Sequence, residues 1–576
     1  MASPIRERQA NRRVRLLGVV LVLGLAAMFG RAFWLQAVDA SHLAGLARSE
    51  HQVPEQLPAT RGTIFDRTGV PLAIGEERTT IYADPHQVRN ARGIALAAGS
   101  ILGIDANALY PALLDKASQF VYVERFADPA KAARFLKKGF LGIGSYPEER
   151  RTYPEGSVGA QVVGYAGVDD TGLGGLELGY NSSLAGRAGS QTVVKDPSGR
   201  PIEVLSSRPG VEGSNLYTTI DHTIQAQAEQ VLKKTVVTWG AKDATAIVLD
   251  PSTGDILAMA QTPIYNDNNT PNVSAADLRN RAVTDTYEPG STFKLVTITG
   301  ALSEGLVTPW TRFTLPYQFQ YGPCAQCAVH DAEFRPTESL AVAQILSQSS
   351  NVGAVTIARK LGPRALQRWI EKFGFGSPTG VDFPGESAGF VLPLPQWSET
   401  TIGNVPIGQG ISVTPIQMAS VYAAVANGGV WIQPHLVERV GGRAPQVWRR
   451  RRLMSSRVDA EVKAMLTGVV ADPGATGNEA QISGYTVAGK TGTAQVANGR
   501  GGYSTTDYTA SFVGMVPASH PRLVVIVKVD DPHGSIYGGV VSAPAFAEIA
   551  KFDLQYLEVP PDAPPSGSRA VLAATP

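Results

Sequence analysis

From Leu16 to Gly30 the chain reads "LLGVVLVLGLAAMFG" without a charge, and beyond Arg31 the apolar character continues through "AFWLQAV" to Val38. The first run alone is shorter than the ~20 residues a bilayer-crossing helix needs, but the extension to Val38 completes the length. Arg31 near one end can snorkel, and Trp34 suits the interfacial belt. Farther on, "RGTIFDRTGVPLA" alternates apolar and polar residues around a turn and predicts a strand pair. "ARGIALAAGSILGI" carries helical spacing. "TTIDHTIQAQAEQVLKKTV" predicts an amphipathic helix starting at Asp221. Two apolar runs around Asp-Pro-Ser-Thr-Gly in "ATAIVLDPSTGDILAMA" read as a hairpin, and strands return late in "YTASFVGMVPA" and "PRLVVIVKVDD". Strands at both ends with helices between predict an α+β domain whose sheet joins distant parts of the chain.

Charge changes the picture at the N-terminus only. Lys plus Arg total 51 against 50 Asp plus Glu, a formal net charge of +1, so no basic excess points to nucleic acid. Yet Arg6, Arg8, Arg12, Arg13 and Arg15 crowd the front of the apolar run. The aromatic far end and the lack of a small-x-small cleavage site beside the run favour a single-pass anchor over a cleaved leader, and the Arg cluster puts the N-terminus in the cytoplasm and the remaining chain outside. The only cysteines are Cys324 and Cys327, in "CAQC". Outside the cytoplasm such a pair is expected to form a small-loop disulfide. His330 and Asp331 follow, but two Cys and one His make an incomplete zinc set, and no metal is expected. The block Gly164 to Ser190 is Gly-rich without the strand–turn–helix context of a phosphate loop, and "EVPPDAPPSGSRA" near the C-terminus reads as a disordered tail.

The candidate chemistry starts in "EPGSTFKL". Ser291 and Lys294 stand three residues apart where an apolar helix begins, a spacing that puts them on one face. A neutral lysine there can take the proton of a serine attacking a carbonyl. Ser-x-x-Lys alone is a weak signal. "SQSSNVG" supplies Ser349 and Asn351, and "VAGKTGTAQV" supplies Lys490, Thr491, Gly492 and Thr493. Each of these three patterns occurs once in the chain, in this order. Together they form the signature shared by penicillin-binding proteins and class A β-lactamases.

On these motifs, and on "RGTIFDRTGVPLA", "GGLELGY", "SPTGVDFPGE" and "GQGISVTPIQMA", the chain resembles the class B penicillin-binding proteins. The resemblance runs from the anchor to about Leu557. It implies a basic cytoplasmic tail (1–15), a transmembrane anchor (16–38), an elongated pedestal or dimerisation domain (39–215) and a transpeptidase domain (216–557) with a five-stranded antiparallel sheet between helices, followed by the tail (558–576). It also implies D,D-transpeptidation of peptidoglycan stem peptides through an acyl-enzyme on Ser291. Lys294 is then the expected base, Ser349 a proton relay and Asn351 a partner of Lys294 and of a substrate amide. Lys490, Thr491, Gly492 and Thr493 form the strand that binds the substrate carboxylate, with the Ser291 and Thr493 amides as oxyanion hole. Lys294 is expected to work neutral and Lys490 charged. Arg61, Arg67 and Glu177 fall in pedestal blocks where folding roles are expected.

The absence of a recognisable polymerase segment implies a partner, in the family a SEDS glycosyltransferase of FtsW type, with other division proteins. β-Lactams are expected ligands. Length and block spacing resemble the septal enzyme more than its elongation counterpart. The competing readings are that elongation enzyme and a β-lactam sensor or scaffold without turnover. The intact triple motif counts against the scaffold.

Overall fold

A computed structural model of the chain describes residues 4–42, 45, 52–57, 59–195, 201–324, 326–443, 447–499 and 502–564. By its internal contacts the chain divides into two compact units, residues 1–60 with 186–212, and residues 61–185 with 213–576.

The first unit holds the helix Pro4–Phe33, a π-helical turn Trp34–Val38 and a three-stranded sheet. Asn11–Val38 is long and apolar enough to cross a membrane, and its side chains bury nothing within the protein. A helix whose leucines and valines find no protein partner needs an apolar surrounding. In the sheet, Gly189–Lys195 pairs on one side with Gln52–Leu57 and on the other with Pro201–Arg208.

The second unit is built around a five-stranded antiparallel sheet. Its order is Ile256–Thr262, Asp243–Leu249, Leu523–Asp530, Tyr503–Val516 and Ala488–Ala497. The strand pattern explains the layering. Side chains alternate across a strand, so Ile247, Leu249, Val524 and Ile526 enter one core while Ala246, Val248, Val525 and Val527 enter the other. A sheet covered on both faces reads as continuous apolar runs, as "LVVIVKV" does. The helices His222–Trp239 and Gly538–Tyr556 cover one face, and Lys294–Ser303, Asn351–Leu361 and Pro415–Ala426 belong to the core on the other. Asp221 caps the first of these as its sequence predicts, accepting from the amides of Thr223 and Ile224.

The expected strand pair in "RGTIFDRTGVPLA" is present as Ile64–Phe65 against Pro71–Ala83. Arg61 is fully buried there. Its guanidinium donates to Glu177 Oε2 at 2.7 Å, to the Glu177 carbonyl at 3.0 Å and to Asn181 Oδ1 at 2.8 Å, and Arg151 meets the other Glu177 oxygen at 2.6 Å. A buried carboxylate is tolerable only when so paired.

One expectation is corrected at the C-terminus. The tail was expected to be disordered from 558, but 558–564 is seated on the domain. Tyr485 Oη donates to the Val559 carbonyl at 2.7 Å, and Asp562 accepts from the Thr486 amide at 2.7 Å and from Ser519 Oγ at 2.5 Å. Pro-rich composition discourages helix and sheet, but it does not prevent one carboxylate from satisfying several donors. Residues 565–576 lie outside the described residues.

Candidate active site

The three motifs arrive from three directions. Gly290–Phe293 forms one 3-10 turn, and the α-helix proper runs from Lys294 to Ser303. The turn docks against the edge strand Ala488–Ala497, and two glycines make the close approach possible. A Cβ on Gly290 (φ +55°) would stand 2.6 Å from the Thr493 carbonyl oxygen, and one on Gly492 would stand 2.9 Å from that of Pro289. Only hydrogen fits in these gaps, and a positive φ is natural for glycine alone.

Ser349 lies between the two lysines. Lys294 Nζ donates to the Ser349 carbonyl at 2.5 Å, to Ser349 Oγ at 3.2 Å and to Asn351 Oδ1 at 2.7 Å. Lys490 Nζ donates to Ser349 Oγ at 3.0 Å and to Thr491 Oγ1 at 3.0 Å. Both lysines have no exposed surface, and neither has a salt-bridge partner among the described residues. Burial pushes the Lys294 amine down to about 7, against an upward pull from Asp331. Burial pushes Lys490 well below the ordinary lysine range, and the charge of Lys294 adds to the effect. Two buried amines without a carboxylate between them make a site prepared for an anion.

Two points differ from the sequence reading. Ser291 and Lys294 share a face, yet no hydrogen bond joins their side chains; among the described residues Ser291 Oγ has no partner, because Lys294 is held by the Ser349–Asn351 segment. Lys490 was expected to work charged on a strand edge. The nucleophile turn and Ser349 cover it instead. The Thr493 hydroxyl accepts from the Gly538 amide at 3.3 Å.

Sequence reasoning singled out Asp331 only as an incomplete metal ligand. It is a buried cap. Asp331 Oδ1 accepts from the amides of Asn351 at 2.6 Å and Val352 at 3.0 Å and from Ser350 Oγ at 3.0 Å, while Oδ2 meets Arg335 Nε at 2.6 Å. These bonds tie down the start of the helix Asn351–Leu361. They hold Ser349 at φ +58°, a left-handed conformation that costs a serine free energy and persists only where its surroundings over-determine it. Glu288 also escaped the sequence reading. It accepts from the Gly410 amide at 3.0 Å and from Tyr503 Oη at 3.1 Å, tying the segment before the nucleophile to a loop and to the start of the strand Tyr503–Val516. Cys324 and Cys327 form a disulfide at the tip of the hairpin Gln318–Gln320/Ala328–His330, whose far end is Asp331.

The model described as the penicillin-binding protein transpeptidase domain matches residues 244–551, and that of the penicillin-binding protein dimerisation domain matches residues 56–218. The chain is 34% identical over 565 residues to the peptidoglycan D,D-transpeptidase FtsI of Escherichia coli K12, covering 97% of this chain and 94% of that one. The chain belongs to the class B penicillin-binding proteins. It is also 34% identical over 566 residues to the probable peptidoglycan D,D-transpeptidase PbpC of Pseudomonas aeruginosa, covering 96% of this chain and 97% of that one. Among solved structures it matches penicillin-binding protein 3 of Mycobacterium tuberculosis complexed with aztreonam, with a TM-score of 0.70 and 30% identity over 88% of this chain and 99% of that one. Family membership makes this chain a serine-type peptidoglycan D,D-transpeptidase and a binder of β-lactams, with an N-terminal helix of membrane-anchoring character.

Proposed function

We propose that this class B enzyme cross-links peptidoglycan at the division septum, with Ser291 as the acylated nucleophile. One observation supports the assignment of residues above all: a single hydroxyl, Ser349 Oγ, accepts from both Lys294 and Lys490. In this reading neutral Lys294 accepts the Ser291 proton as Oγ attacks the carbonyl of the penultimate D-Ala. The proton then reaches the leaving D-Ala amine through Ser349, whose hydroxyl can accept and donate at once. Asn351 fixes the Lys294 amine and offers its amide to the donor peptide. Lys490, Thr491 and the Gly492 backbone take the terminal carboxylate, which supplies the anion the two buried amines lack. The amides of Ser291 and Thr493 stabilise the tetrahedral oxyanion, the term that contributes most in acyl transfer. An acceptor amine then attacks the ester, forming the cross-link and returning a proton to Ser291.

The proposed layout is a cytoplasmic tail, one membrane span, a pedestal from 39 to 215 and an extracytoplasmic transpeptidase domain from 216 to 557. The basic cluster before the span supports that orientation. Transpeptidation needs nascent glycan, so the proposed partner is a SEDS polymerase of FtsW type with other division proteins.

Ser291→Ala tests the chemistry. Covalent labelling by fluorescent penicillin should vanish while the thermal transition stays in place; labelling that survives sinks the assignment. A fluorescent fusion tests the septal role. Midcell signal supports it, and signal along the sidewall replaces it with the elongation role.

A further inference from the structure

A cavity of about 450 Å³ opens on the transpeptidase domain away from the motifs, and none of the three motifs lines it. Its wall includes Arg449, Arg450 and Arg451, with Thr379, Ser420 and Trp431. The arginines come from the run Arg449 to Arg452, whose strand Arg450–Arg452 pairs with Val430–Ile432. A run of arginines is usually a solvated face, but here three consecutive arginines line one concavity, and burial together with the nearby Arg449 disfavours the charge of Arg451. Arg449 donates to Gln433 Oε1 at 2.9 Å and to the Thr379 carbonyl at 3.0 Å. Arg451 donates to the Phe373 carbonyl at 3.3 Å and stacks over Trp431, 4.7 Å from the ring centroid. Among the described residues Arg450 has no side-chain partner and none of the four arginines makes a salt bridge. The one acid at the wall, Glu371, is engaged by Gln367 at 2.9 Å.

Three neighbouring cations facing a single acid repel one another, and guanidinium forks match the oxygens of carboxylate and phosphate in pairs. The volume falls in the range of small-ligand sites. We propose that this cavity is a second ligand site that binds an oxyanion, a phosphate or a carboxylate, between Arg449, Arg450 and Arg451.

The helix Pro415–Ala426 separates it from the nucleophile. Ser420 and Tyr422 are two positions apart, so they leave the axis about 200° apart. Ser420 Oγ accepts from Trp431 Nε1 at 2.7 Å on the cavity side, and Tyr422 Oη donates to the Thr292 carbonyl at 2.9 Å beside Ser291. The site is therefore independent of the acyl transfer proposed above, and its failure would leave that proposal standing.

Calorimetric titration of the full chain in detergent, at constant ionic strength, tests it with inorganic pyrophosphate in one arm and citrate in the other. Saturable binding of one equivalent in either arm is expected, and the arm that binds tells phosphate from carboxylate. Losing one charge-assisted, bidentate contact should weaken binding at least about tenfold. Arg450→Gln is the first variant, since it breaks no internal bond, and Arg449→Gln is the second; unchanged penicillin labelling at Ser291 certifies the fold. Arg457→Gln, an exposed arginine paired with Glu461 elsewhere, is the control and should bind normally. Absence of saturation in both arms up to about 10 mM overturns the site, as do equal affinities in the wild-type chain and both variants.

Discussion

Lys294 and Lys490 donate to the same oxygen, Ser349 Oγ, at 3.2 and 3.0 Å, so the two cations of the site are coupled through one hydroxyl. They cannot both stay charged without an anion between them. The first expected outcome concerns pH. With the Lys294 amine held at about 7, acylation should climb about tenfold per pH unit below 7, as the free amine becomes available, and level off above it. Stopped-flow acylation by a chromogenic β-lactam reads this directly. Lys294→Arg keeps the charge but removes the base, and should abolish acylation at every pH; Lys490→Arg should retain a measurable fraction. Equal rates in the two variants would end this division of labour.

Lys490 carries a second consequence. Burial pushes its amine well below the ordinary lysine range, the reverse of what a strand-edge lysine would lead one to expect. A donor carboxylate arriving beside it favours the charged form, so its affinity for protons must rise on binding. Calorimetry in buffers of different ionisation enthalpy should show net proton uptake when a carboxylate-bearing, non-acylating donor analogue binds near neutral pH. Proton release would contradict it.

Asp331→Asn keeps the shape of the cap and removes its charge. Two backbone amides and a hydroxyl then share a weaker acceptor, and Arg335 loses its ion partner. A stability loss of about 1–3 kcal/mol is expected in thermal unfolding. Acylation should fall by about 10- to 100-fold, because the left-handed Ser349 is held by that cap and small displacements of a relay group are costly. Full acylation at unchanged melting temperature would show that the helix start holds itself.

Tyr422→Phe removes the donor that the Thr292 carbonyl uses inside the core. Leaving that oxygen unpaired should cost about 1–3 kcal/mol, and the turn bearing Ser291 should lose its rear anchor. Acylation should slow more than the melting temperature alone accounts for, measured well below the transition.

The disulfide invites a small effect rather than a large one. Only two residues lie between Cys324 and Cys327, so replacing both with serine should cost about 2 kcal/mol at most in the chain-entropy description. Mass spectrometry of non-reduced peptides from the native envelope should recover the linked pair. Two free thiols there would refute the bridge.

What the sequence made legible was whatever is written locally. The hairpin around Asp250 to Gly254, the cap at Asp221 and the three catalytic motifs each sit within a short window, where periodicity or a spacing speaks for itself. What it hid was written across the chain. The bond from Asp331 to the Asn351 amide and the tie from Glu288 to Tyr503 link residues whose meaning appears only when the fold brings them together. Burial was hidden too: Lys490 follows a Gly and precedes Thr-Gly-Thr, a composition that reads as an open edge, and only the docking of another turn closes it.

The order of strands in the central sheet has a bearing on how such an enzyme is born. Asp243–Leu249 pairs with Leu523–Asp530, which is made near the end of synthesis and sits in the middle of the sheet, and the Lys490 strand joins only through Tyr503–Val516. A chain made from its N-terminus thus contains Ser291 and Lys294 long before the sheet that completes their surroundings can close. Contacts so distant in sequence form late and slowly. A chain cut short before residue 523 lacks the central strand of the sheet, and should therefore show no covalent labelling by fluorescent penicillin.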